Sequence, residues 1–472
     1  MKSKRPKPGP PKITRVPATR AASVVFFGCF LAINALLSVY FLDSIPSPNP
    51  TSRVLPVLTL YEEHTYAIDQ YEHLTMDKSH VNGHYYSDKA PLSTWVVLPA
   101  YALLRSLHVV NTDGQTIKGY PAALLLGDIL CGSIPFVWTM WLILRRVFRE
   151  HPETNPALLC MLPLYGTFIF VYAGVFMSHL LSGLLLLGSY RLLRAGRHAV
   201  LCGLLLGLAV LAEFPTALAL PIWIWTIAKS RRQDLGWFVL GGAPCALALA
   251  VYNHTITGSY FQMPYAFETE RVFSEMRSSY GMGWPSLEAM WGLVFSSYRG
   301  MLFYAPALIY IAFRYFSVRG FRSVTEDLAT PLGLLTVCYI TLMSSYFVWW
   351  GGWAYGPRHL IPLAMILMYE GIPMVARLTS SRTPLYVLSA AGIGMAWLAK
   401  TTVLYMIPEQ HSNPVFDLAW PSLQQGKVRP DAIAVPLLHL DPMIAASLWP
   451  ALLVLGGAGL YALYGRTFLR RA

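Results

Sequence analysis

Between Asp43 and Lys118 the chain carries Glu62, Glu63, Asp69, Glu72, Asp77 and Asp88 against Lys78 and Lys89, with Tyr61, Tyr66, Tyr71, Tyr85, Tyr86 and Trp95 spaced among them. A carboxylate held by such neighbours can act as a general base, drawing a proton from a hydroxyl or amine while a phosphate departs from a sugar carbon. A cation must steady the departing group, and Lys89, two residues before Pro91, suits that role as a point charge. The bland reading of any one of these carboxylates is a wetted loop, but the interleaved aromatics favour a folded, partly buried pocket wall. His64, His73, His80 and His84 in the same segment permit a divalent metal, yet their spacing matches no ligand pattern, so no metal or other cofactor is firmly implied.

A second constellation is FVWWGGWAYGPRHLIP, Phe347 to Pro362. Trp349, Trp350 and Trp353 alone would read as an interfacial aromatic belt. Gly351, Gly352 and Gly356 add close backbone approach, and Pro357 fixes the turn before Arg358. The planar fork of Arg358 matches a phosphate, and the indoles offer faces to a sugar or a prenyl chain. His359, and on the first loop Tyr86 and Asp88, join the candidate phosphate and sugar contacts. Arg299, in SSYRGMLFYAP, is either a third phosphate contact or a helix-end arginine snorkelling to water. Glu268, Glu270 and Arg271, flanked by Tyr260, Phe261, Tyr265 and Phe267, could line an acceptor site. His179 and Glu213, polar groups inside apolar stretches, are functional candidates or a structural pair.

The elements that must position these groups are membrane spans. At 55% hydrophobic and 13% charged, the 472-residue chain has too little polar surface for a soluble globule of its size. With roughly 20 residues per crossing as the ruler, helices are expected near 21–42, 119–143, 156–173, 175–193, 199–213, 215–229, 235–252, 300–317, 328–348, 359–376, 384–406 and 442–465. The fold class is therefore an all-α integral membrane protein of about twelve spans, residues 21–465, between a disordered basic tail (1–20) and a short tail (466–472). Lys/Arg clusters recur at alternate junctions (145–149, 191–197, 229–232, 314–322, both tails), which places both termini and those junctions in the cytoplasm and the motifs outside it. Pro91 to Leu107, broken by Pro99 and carrying Arg105, reads as an interfacial helix within one large external loop, 43–118. The net charge of +12 belongs to this topology and to anionic headgroups, so nucleic acid is discounted. Cys29, Cys131, Cys160, Cys202, Cys245 and Cys338 all fall inside spans and suggest neither disulfides nor zinc. No Walker loop, HExxH, GxSxG or DxD pair is present.

A basic tail, one span, a carboxylate-rich loop ending in GHYYSDKAP (Gly83 to Pro91), the YRGMLFYAP segment and the WWGGWAYGPRHLIP turn together resemble the polytopic bacterial glycosyltransferases of the C-type fold, relatives of protein O-mannosyltransferases and the aminoarabinose lipid A transferase. The resemblance covers most of the chain in layout and is sharpest at those three motifs. It implies a polyprenyl-phosphate-linked sugar donor, hexosyl or pentosyl transfer with inversion to an extracytoplasmic lipid, glycan or protein acceptor, and a cytoplasmic-membrane location with the site facing the periplasm or exterior. It also implies a catalytic carboxylate soon after the first span and contact between the lipid phosphate and Lys89 of the KAP motif. Relatives often carry Asp-Glu followed by Arg there, whereas this chain has Asn49-Pro50-Thr51-Ser52-Arg53, which leaves the base among Asp69, Glu62, Glu63 and Asp43; Asp69, in the run AIDQY, is favoured because its apolar and aromatic neighbours would hold it in place. The rival readings are a transporter or flippase of lipid-linked glycan, which should show paired broken helices and midplane charges, and an oligosaccharide ligase or polymerase built from similar parts.

Overall fold

The computed structural model describes residues 13–15, 20–110, 117–151, 153–271, 274–319, 324–378 and 382–471. Helix α1 (Arg20–Ser38) is the first apolar run. Helix α2 (Pro48–Glu62) starts at Pro48-Asn49-Pro50, where the proline ring presets the first helical turn and its missing N–H would have had no partner. Helix α3 (Leu92–Ser106) covers the segment expected to be interfacial and packs against α2 and against α4 (Tyr120–Gly127). A π-turn, Asp128–Ser133, then leads into α5 (Ile134–Glu150). Pro135, at the start of α5, cannot donate to the preceding turn, which accounts for the widened winding there.

Every expected span contains a helix. Among the described residues, however, five helical stretches are long and apolar enough to cross a membrane: Ala21–Ser38, Tyr120–Glu150, Arg232–Thr257, Arg358–Arg377 and Pro442–Phe468. The other segments are cut short. Pro306 separates Met301–Tyr304 from Ala307–Arg319, and the Glu213-Phe214-Pro215 corner ends Ala199–Ala212. The protein is thus a multi-pass membrane protein whose spans are less regular than hydropathy suggests. Small residues draw its helices together: Ala199–Ala212 packs along Leu235–Thr257, and a methyl on Gly203 or Gly241 would collide with the facing backbone.

Two features correct the all-α expectation. Strands Ile13–Arg15 (β1) and Leu469–Arg471 (β4) pair antiparallel, so the two ends of the chain lie side by side. Residues 1–12 and 16–19 of the expected disordered tail, 111–116 of the first loop, and Ala472 lie outside the described residues. Within the first loop, Lys78–Val81 (β2) and His84–Ser87 (β3) form a hairpin through Asn82-Gly83, both at positive φ. Asn-Gly is the residue pair that a two-residue hairpin turn favours.

The end of α1 is anchored to the 429–433 segment by a buried charge network. The Arg429 Nη2 donates to Asp43 Oδ1 at 2.8 Å and its Nε to Asp431, while the Tyr405 hydroxyl donates to Asp43 Oδ2 at 2.7 Å. Burial pushes the Asp43 carboxyl up to about 6, with Arg429 opposing the shift. Arg429→Ala would leave two buried aspartates without their cation, and losing one partner of such a network is expected to destabilise by about 3–5 kcal/mol. Thermal melts in detergent should show a large drop in Tm for this variant. Glu62→Ala, whose pair with Arg105 is half open to solvent, should change stability by no more than about 1 kcal/mol. Equal melts for the two variants would remove the Asp43 network from this anchoring role.

Candidate active site

The hairpin register decides which carboxylates meet. Lys78 pairs with Ser87, so Asp77 and Asp88 stand opposite each other just beyond the open end of the strands. Like charges facing across a strand pair repel, and Lys89 resolves the conflict: its Nζ is 2.9 Å from Asp77 Oδ2 and 2.9 Å from Asp88 Oδ2. Helix α2 closes the open end, with the Ser52 hydroxyl donating to the Asp77 carbonyl oxygen at 2.6 Å and lying 2.8 Å from Ser87 Oγ. The Tyr252 hydroxyl donates to the Lys89 carbonyl at 3.3 Å, and the Tyr265 ring lies 6.0 Å from the ammonium.

The two carboxylates differ in acidity. Burial alone would raise both. Lys89, aided by the more distant charges of Arg358 and Arg53, holds Asp77 below the usual carboxylate range. For Asp88 burial wins, reinforced by the neighbouring Asp77 charge, and its carboxyl is raised. Lys89 itself is held up by the two aspartates against the burial that would pull it down. The shared cation thus lowers one carboxyl, while burial leaves its neighbour raised.

A second group of charges lies on the adjoining helix ends. Arg53, buried on α2, donates through Nη1 to Asn49, and through Nη2 to Ser178 Oγ at 2.8 Å and to Glu213 Oε1 at 3.4 Å. Ser178 donates to the same Glu213 oxygen, and His179 Nδ1 lies 3.2 Å from it. The His179 ring meets that of His359 edge to face at 5.6 Å, and His179 Nε2 is buried with no hydrogen-bond partner among the described residues.

The Trp-Gly-Arg turn follows from its glycines: Gly351, Gly352 and Gly356 all have positive φ. A Cβ on Gly356 would also press on Phe168 and Tyr304. Arg299, fully buried, holds this turn, since its Nε donates to the Trp350 carbonyl at 3.1 Å, its Nη2 to that of Gly352 at 3.4 Å and its Nη1 to that of Tyr298 at 2.9 Å. Its fork is occupied by backbone. Arg358 is the reverse case: among the described residues it has no carboxylate partner, its Nη1 meets only the sulfur of Met177 at 4.0 Å, and its Nε is buried without a partner. The Trp350 indole nitrogen is likewise buried and unpaired, while Trp353 is about half exposed.

The other sequence candidates lie apart from Lys89. Asp69 opens a 3-10 turn, Asp69–Leu74, beside the hairpin; its Oδ2 is 2.7 Å from His84 Nδ1 and its Oδ1 accepts from the Tyr85 amide at 2.6 Å. It is 45% exposed, and none of its described contacts reaches Asp77, Asp88 or Lys89. The modest burial that would raise its carboxyl is outweighed by these hydrogen bonds, which hold it below the usual carboxylate range, as Lys89 holds Asp77. Glu62 and Glu63 sit at the far end of α2, roughly 15 Å from Ser52 at the rise of an α-helix, paired with Arg105 and Gln70. Tyr86 lies on β3, bridged to Ala67. Arg53 has no role in the reading from sequence, and Asp77 counts there only among the loop carboxylates; the Asn82-Gly83 turn is the signal that sets Asp77 opposite Asp88. Among the described residues no three His, Cys, Asp or Glu side chains are grouped to hold a metal ion.

No family profile and no curated protein matches the chain. Among solved structures it is similar to ArnT from Cupriavidus metallidurans, in the apo state and bound to undecaprenyl phosphate, at 13% identity and a TM-score of 0.46, over 95% of this chain and 78% of that one. It is also similar to the oligosaccharyltransferase AglB of Archaeoglobus fulgidus in complex with an inhibitory peptide and a dolichol-phosphate, at 13% identity and a TM-score of 0.48, over 83% of this chain and 61% of that one.

If Lys89 is the shared counter-ion of Asp77 and Asp88, Lys89→Met should destabilise by about 3–5 kcal/mol. Adding Asp77→Asn and Asp88→Asn to that variant should recover most of the loss. Melts that leave the triple variant as unstable as the single one would show that the three charges do not act as a unit.

Proposed function

We propose that the protein is a membrane glycosyltransferase that takes a sugar from a polyprenyl-phosphate donor and passes it, with inversion, to an acceptor on the outer face of the cytoplasmic membrane. The observation that carries this reading is the convergence of Lys89, held between two carboxylates, with Arg358, whose charge is felt at Asp77 and whose guanidinium has no carboxylate partner among the described residues. A lipid-linked phosphate supplies the missing anion. Its oxygens would engage Arg358 and Lys89, the latter as a point charge and the former through its planar fork.

Asp77 is the base in this reading. It is ionised, stands beside the cation that takes the phosphate, and gains basicity as the phosphate draws Lys89 away from it. Asp88 keeps Lys89 in place, and Arg53 with Glu213 and Ser178 fixes α2 against the bundle. Charge on the departing phosphate is met by cations already in position, so the rate gain comes from orientation and fixed electrostatics. The massing of charge in the loop segments favours transfer over transport, for which paired broken helices with midplane charges are expected.

The purified protein, incubated with synthetic hexose- and pentose-bearing polyprenyl phosphates, should release polyprenyl phosphate detectable by mass spectrometry. Asp77→Asn should lower turnover at least about 10²-fold, as loss of a general base does, while Asp69→Asn should keep turnover within about tenfold of wild type. The opposite ranking would move the base to Asp69. Vectorial lipid movement in liposomes without any release would replace the enzyme by a transporter. Cysteines placed at positions 69 and 353 should both react with an impermeant maleimide added from outside whole cells; labelling of one alone would break the proposed site apart.

A further inference from the structure

The segment that follows Thr257 contributes a buried carboxyl that none of the roles above uses. The 3-10 turn Pro264–Phe267, opened by a proline that presets its first φ, delivers Glu268 to the edge of β2, where Glu268 pairs with Ser79 in an isolated bridge. Its backbone is pinned from both sides. The Ser79 hydroxyl donates to the Pro264 carbonyl at 2.7 Å, the Thr269 amide to that of Lys78 at 3.3 Å, and Arg277 Nε to the Glu268 carbonyl at 2.7 Å. Farther along, the Gly283 amide donates to the Ser345 carbonyl at 2.7 Å and the Phe347 amide to that of Gly281 at 2.9 Å. The segment therefore ties the Lys89 hairpin to the residues leading into the Trp-Gly-Arg turn.

Glu268 is 2% exposed. The carboxyl lies against the backbone of Thr269 and Glu270, with Oε1 accepting from the Thr269 amide at 3.1 Å, while Oε2 is buried and has no hydrogen-bond partner among the described residues. Leaving such an oxygen unmatched is unfavourable, and the fixed backbone keeps the carboxyl in this buried position. The missing partner is then expected from a ligand. Burial, together with the Asp88 and Asp77 charges and against that of Lys89, pushes the carboxyl up to about 9, so near neutral pH Oε2 carries a proton to give. A protonated carboxyl beside a phosphate-binding cation neither repels the anion nor competes for the cation. It suits a neutral hydroxyl, and the group attached directly to the donor phosphate is a sugar. The Tyr265 ring, three residues before Glu268, adds an aromatic face of the kind that packs on sugars.

We propose that Glu268 is a sugar-binding residue of the Lys89 site, its free Oε2 hydrogen-bonded to a hydroxyl of the sugar carried by the lipid phosphate. This rests on the glycosyltransferase reading and extends it to the side chain that would distinguish a sugar-bearing lipid from the bare one.

The test compares binding of polyprenyl-phosphate hexose, polyprenyl-phosphate pentose and unmodified polyprenyl phosphate to the full chain in nanodiscs. Wild type should prefer at least one sugar-bearing lipid. Glu268→Ala should weaken that lipid about tenfold, the size of one lost hydrogen bond, and leave the unmodified lipid unchanged. Glu268→Gln, whose amide still donates, should stay within about threefold of wild type, with melts confirming that both variants fold. A Glu268→Ala protein that keeps the wild-type preference overturns the assignment alone. Lys89→Ala should weaken all three lipids alike; a folded Lys89→Ala protein that binds them as wild type does overturns the lipid-phosphate reading. A wild type that binds none of them overturns both.

Discussion

One ammonium between two opposed carboxylates organises the loop-rich side of this protein. The hairpin register forces Asp77 and Asp88 to face each other at its open end, and without Lys89 that arrangement would be unfavourable in a buried setting. The neighbouring elements serve this triplet. Helix α2 caps the open end through Ser52, Tyr252 fixes the Lys89 backbone, and the segment carrying Glu268 lies along β2. A buried charge can persist only where its partners are held, and here they are held mainly by backbone register.

Three arginines show how the same side chain is given different tasks by what fills its fork. Arg299 donates to three carbonyls and so sets the shape of the Trp-Gly-Arg turn. Arg53 donates to Asn49, Ser178 and Glu213 and so joins the first loop to the ends of two helices. Arg358 keeps its donors largely free among the described residues. The first two hold backbone and helix ends in place, and a fork already occupied in that way has little left for a ligand, which is why the proposed anion contact falls to Arg358 and Lys89.

Much of this was legible in the sequence because membrane burial leaves a strong mark: apolar runs located the helices, and the motifs around Lys89 and Arg358 stood out against them. The irregularities were legible only in hindsight. Pro135 and Pro306 alter helices that hydropathy treats as continuous. In the first loop, neighbours along the chain and neighbours in space differ. Asp69 has apolar neighbours in sequence, yet it lies half exposed beside His84. Asp77 sits in the polar run TMDKSH, and register rather than local composition puts it next to Lys89. Pairing across a hairpin is a nonlocal fact, and Asn82-Gly83 was its one local sign.

The charge balance of the site bears on the proposed reaction. Lys89, Arg53 and Arg358 are balanced against Asp77, Asp88 and Glu213, and burial raises the Asp88 carboxyl, which weakens the negative side of that balance. In the proposed reading a sugar phosphodiester would bring one further negative charge to it. Transfer leaves a phosphate monoester whose charge approaches −2, and the proton lost by the acceptor would neutralise Asp77 at the same time. The site would then carry one more positive charge just as the phosphate gains one more negative charge. A buried cluster that stays near neutrality at both ends of the reaction avoids the large penalty of an unmatched charge, which gives a physical reason for placing a base carboxylate in contact with the cation that receives the leaving group.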